Sequence, residues 1–147
     1  MKFYESGDNR KPVIFLFPGT CCLYSSFDHV LDGLHSYFYT VTVSYDGFLN
    51  MFGIGKGGSP WITKQSIYNQ FYSDLVTKVR RGIDVPGTTI HVFYATKMGE
   101  KYEKRYCTYF KNPDIRKHNM QHEELFCCHS AEWVEEVRKA VELPDEI

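Results

Sequence analysis

A strand, a helix and a second strand follow one another within the first 45 residues, and this succession constrains the fold more than any other feature. Residues 12–17, PVIFLF, are a continuous apolar run of the kind that a parallel sheet covers on both faces. Pro18-Gly19 break the run. With Ser25 or Ser26 as N-cap, Phe27, Val30, Leu31, Leu34 and Phe38 then recur at helical spacing. The β-branched and aromatic run YTVTVSY, 39–45, reads as the second strand, and Asp46-Gly47 end it.

The remainder repeats the alternation. Residues 47–62, GFLNMFGIGKGGSPWI, are glycine-rich without a period and read as an irregular joint. A helix is expected after Thr63, with Ile67, Phe71, Leu75 and Val79 inward and Gly82 as its stop. TIHVFYA, 89–95, is the third strand, and DIRKH, 114–118, is a short polar fourth strand at an edge. Between them, residues 99–110 place Tyr102, Tyr106, Tyr109 and Phe110 on one helical face. A last helix starts at Ser130, turns Trp133, Val134, Val137 and Val141 inward, and stops before Pro144. Strand-helix alternation predicts an α/β fold over residues 1–147 as one domain: a doubly wound parallel sheet with helices on both faces. Ligands in such folds bind at the carboxyl ends of the strands. FPGTCC, YATKMGEKY and NMQHEELFCCH are the segments expected there.

Composition narrows the function classes. The chain is 43% hydrophobic and 16% aromatic, and its formal charge of −1 is dispersed, which gives no footprint for nucleic acid. No apolar run approaches the ~20 residues of a membrane span, and MKFYESGDNRK has no signal-peptide core. Five cysteines, with two vicinal pairs, suit a reducing compartment better than a disulfide framework, so a cytoplasmic location is expected.

Two motifs dissolve on inspection. Gly53, Gly55 and Gly58 spell the dinucleotide fingerprint, but that motif needs its first glycine directly after a strand, and here several residues intervene. His118, His122, Cys127, Cys128 and His129 invite a zinc reading. Vicinal cysteines splay apart, however, and the two histidines share a face only on a helix. No metal and no cofactor are expected.

KPVIFLFPGT followed by an amphipathic helix and YTVTVSYDGF resembles the start of an α/β-hydrolase. TIHVFYATKMGEKY, NPDIRKHNMQHEEL and AEWVEEVRKAV resemble its end. The family's nucleophile elbow, G-x-S-x-G, has no counterpart: Gly53-Ile54-Gly55-Lys56-Gly57 carries glycine where serine belongs. The resemblance implies a shortened member lacking the central block between about Asp46 and Thr63. With its strands numbered in chain order, it would have a four-stranded parallel sheet of order 2-1-3-4, placing Gly19, Thr20 and Cys21 beside residues 95–100 with His122 nearby. His122 matches the family's base, Glu100 is the nearest substitute for its acid, and Cys21 is the one substitute nucleophile. Gly19, Thr20 and Cys22 would line a ligand site. Ser44, Ser59 and Ser66 lie near the gap and stand in no elbow. The expected function is that of a hydrolase-like pseudoenzyme without the serine nucleophile, a module that binds a small-molecule ligand or a protein, or a degenerate remnant. The alternative is a hydrolase or acyltransferase using Cys21 and His122. A homodimer is expected from apolar surface around GFLNMFGI and Trp61.

Overall fold

The β-branched run after the first helix becomes the centre of a sheet. Tyr39–Ser44 forms strand β3, which pairs in parallel with β2 (Val13–Leu16) and antiparallel with β1 (Lys2–Ser6), in the order β1-β3-β2. The computed structural model describes residues 2–19, 22, 24–44 and 64–142, with the backbone alone at 64, 66, 67, 70 and 74. These fall into two compact units, one ending at Thr77 and the other running from Lys78 to Glu142.

In the first unit the strands' alternation sorts side chains onto two faces. Register places Ser6, Thr40 and Ile14 in one row and Tyr4, Thr42 and Leu16 in the next. This face is covered by a 3-10 turn, Tyr24–Phe27, and by helix α1, Asp28–His35, whose Val30 and Leu34 are buried. Neither Ser25 nor Ser26 caps the helix; the 3-10 turn leads into it with no side-chain cap at Phe27. Thr40, Thr42 and Ser44 are buried hydroxyls, and each is satisfied. Thr40 Oγ1 meets Ser6 Oγ at 2.7 Å, Thr42 Oγ1 donates to the Tyr4 carbonyl, and Ser44 Oγ accepts from the Tyr24 amide at 3.2 Å. On the opposite face Val41 and Val43 are buried, whereas Phe3, Val13 and Phe15 are more than half exposed. The run PVIFLF is therefore covered on one face, not two.

Helix α2, Lys64–Val76, ends six residues short of the expected stop at Gly82. Of its expected inward stripe, Phe71, Leu75 and Val79 are exposed, Leu75 by 84%. The expected joint at 47–62, with its glycines, Ser59 and Trp61, lies outside the described residues, as does Pro144.

The second unit is built on β4 (His91–Ala95) and β5 (Asp114–His118), a two-stranded parallel sheet joined through helix α3, Lys101–Tyr109. Two helices follow, α4 (Glu124–Cys128) and α5 (Ser130–Ala140). Tyr94 is buried: its hydroxyl donates to the Gly99 carbonyl at 2.8 Å and its ring meets Tyr106 edge-on. Removal from water holds the Tyr94 phenol above its usual range. Leu125 and Val134 complete this core. Arg138 is buried on α5, and its fork to Glu135 pushes that carboxyl down to about 2.

The expected four-stranded sheet of order 2-1-3-4, and with it the truncated α/β-hydrolase-like architecture, does not form. Val13–Leu16 pairs with Tyr39–Thr42 and His91–Ala95 pairs with Asp114–His118, both in parallel, but among the described residues β2 has no ladder to β4. They belong to separate sheets, and the first is mixed because β1 takes the free edge of β3. Among the described residues, no helix is long and apolar enough to cross a membrane.

Candidate functional site

Parallel β4 and β5 end together, and a cavity of about 200 Å³ lies at their carboxyl ends. After Ala95 the chain tightens into a 3-10 turn, Thr96–Met98; after His118 it runs into the loop 119–123. Two bonds clamp these exits: Thr96 Oγ1 donates to the His118 carbonyl and the Lys97 amide to the Met120 carbonyl, both at 3.2 Å. The loop enters α4 through a turn closed by two hydrogen bonds. The Gln121 amide donates to Glu124 Oε2 at 2.6 Å, and the Glu124 amide donates back to the Gln121 carbonyl. Glu123 closes the turn at φ +60°, a left-handed conformation that residues with side chains seldom adopt and that clusters at ligand clamps.

The wall is mostly aromatic and thioether. Phe93 and Ala95 come from β4, Met98 and Met120 from the two exits, Tyr106 from α3, and Phe126 and Trp133 from α4 and α5. Phe126 and Trp133 meet edge-on at 5.2 Å. His118, Gln121, His122 and Glu123 supply the polar part. His122 and Glu123 are exposed. His118 is different: its ring meets that of Phe93 edge-on, with centroids 6.0 Å apart, and its Nε2 is buried with no hydrogen-bond partner.

Of the residues expected from sequence, His122 lines this cavity. Glu100 lies in the same unit, exposed at the start of α3 beside Glu103, Lys104 and Cys107, and is not part of the cavity wall. Gly19 and Cys22 belong to the first unit, where the Cys22 amide donates to the Gly19 carbonyl at 3.0 Å and the Cys22 side chain is exposed. Thr20 and Cys21 lie outside the described residues. His118, placed from the sequence at the end of the strand 114–118 and otherwise weighed only as a zinc ligand, is the cavity residue to which the sequence assigned no role in a site. Its position as the last residue of a strand in a βα unit was the available signal. Among the described residues no group of three His, Cys, Asp or Glu side chains could hold a metal ion.

Two other polar clusters are structural ties. Ser6 Oγ lies 3.0 Å from His35 Nε2, the distance of a nucleophile and its base, but the same imidazole also meets Thr40 Oγ1 at 3.1 Å. The triangle fastens the end of β1 and the start of β3 to α1. At the amino end of the second sheet, His91 Nδ1 and Arg116 Nε both reach Asp114 Oδ2, at 2.8 and 3.1 Å. The His91 bond, then the Arg116 bond, holds the Asp114 carboxyl below its usual range. Arg116 also pairs with Glu136 at 3.5 Å, which ties β5 to α5. No protein-family model, no curated protein and no solved structure matches the chain.

Proposed function

We propose that the chain is a small-ligand-binding protein, not a working esterase, and that the ligand occupies the cavity at the carboxyl ends of β4 and β5. The observation that carries this reading is the wall itself. It joins four aromatic rings and two thioethers to a short polar sector, the composition of a ligand pocket. Among the described residues that line it there is no serine, threonine or cysteine to attack a carbonyl, while His122 is exposed. A cavity of about 200 Å³ accepts a molecule of one ring, since ~150 Å³ suffices for benzene.

Single-ring compounds should shift the methyl resonances of Met98, Met120 and Leu125 saturably, and Ala95→Phe, which fills the cavity, should abolish the shifts. Shifts that survive Ala95→Phe, or none at millimolar concentration, would overturn the reading. Turnover of a nitrophenyl ester above the buffer rate that is lost in both Cys21→Ala and His122→Ala would support an enzyme instead.

We also propose that the first unit self-associates as a homodimer. Tyr68, Phe71, Tyr72 and Leu75 stand exposed on α2, and apolar patches of this kind mark association surfaces. Light scattering at micromolar concentration should give twice the chain mass, falling to the monomer in Leu75→Glu.

A further inference from the structure

We infer that the ligand of this cavity is a neutral, hydroxyl-bearing aromatic ring of phenol type, anchored by His118. The inference rests on the cavity being a ligand site and adds what that ligand must carry. The wall sets the body of the molecule. Phe93, Tyr106, Phe126 and Trp133 offer ring faces and edges, and the sulfurs of Met98 and Met120 favour contact with a further ring. Among the described residues the wall has no Lys or Arg to pair with an anion, and the exposed Glu123 repels one. The polar anchor comes from the one buried side-chain atom among the described residues that has no hydrogen-bond partner, His118 Nε2. A buried group left this way is destabilising unless something completes it. Its ring already lines the cavity, and the χ2 torsion of histidine is broad, so the ring can turn to offer Nε2 to a molecule seated there. A hydroxyl both donates and accepts, and so matches whichever ring nitrogen carries the proton.

The test compares phenol, toluene and benzoate, titrated into the full chain and read by Trp133 fluorescence and by the ¹⁵N shift of His118 Nε2. Phenol should bind about tenfold more tightly than toluene, because a site with an unsatisfied polar atom rejects the analogue that cannot meet it. Phenol, and not toluene, should move the Nε2 resonance of the unaltered protein. In His118→Phe the two affinities should become equal. Equal binding of phenol and toluene to the unaltered protein overturns the anchor and leaves the ligand site standing. Benzoate binding more tightly than phenol overturns the neutral class. If none of the three binds, site and anchor fall together.

Discussion

Gly7 turns β1 out of the sheet at φ +94°, and a Cβ there would lie 2.9 Å from His35 Cδ2 and 3.2 Å from the Phe38 carbonyl oxygen. Backbone strain and the collision act together, so Gly7→Ala should destabilise the chain by about 1–3 kcal/mol in urea unfolding. Asp114 makes a pH-dependent contribution whose sign follows from its lowered folded value. Stabilisation is complete above the ordinary carboxyl value of 3.8 and is lost as pH falls through the lower folded one. The gap in urea midpoint between the unaltered chain and Asp114→Asn should therefore hold near pH 5 and close as pH drops below the ordinary carboxyl value of 3.8. At this scale the sequence was legible where local chemistry decides. Ser44 lies buried within its strand, as its place in YTVTVSY implied. The Ser6–His35–Thr40 triangle was not legible, because nothing in a linear pattern marks two hydroxyls and an imidazole that meet only when β1 finds β3.

Helices α1 and α2 show what an apolar stripe does and does not reveal. Both carry side chains at helical spacing, yet Leu34 on α1 is fully buried and Leu75 on α2 is 84% exposed. Period tells which residues share a face; it says nothing of whether that face has a partner. Leu34→Ala should cost about 2–5 kcal/mol, and Leu75→Ala less than about 0.5 kcal/mol in the monomer, measured by denaturant unfolding at concentrations too low for association. Strand pairing divides the same way. β2 with β3 and β4 with β5 are each linked by one crossover helix, and such local parallel pairs follow from alternation alone. Whether 12–17 meets 89–95 depends on contacts between distant segments, and the alternation carries no information about it.

Two sheets that share no strand give the molecule two centres of order. Leu34→Ala should speed amide exchange at Val41 and Val43 by about thirtyfold or more, and leave Val92 and Ile115 unchanged, as read by hydrogen-exchange NMR. Equal acceleration in both sheets would mean that the chain opens as one piece. The pairing of β1 with β3 also has a consequence in time. β1 is synthesised before β2, α1 and β3, so it must wait for the strand it will join. At ~5–20 residues per second the wait is on the order of seconds, far longer than a strand takes to collapse onto a partner already made. During that interval Phe3 and Tyr4 travel on a nascent chain whose partner strand, Tyr39–Ser44, does not yet exist.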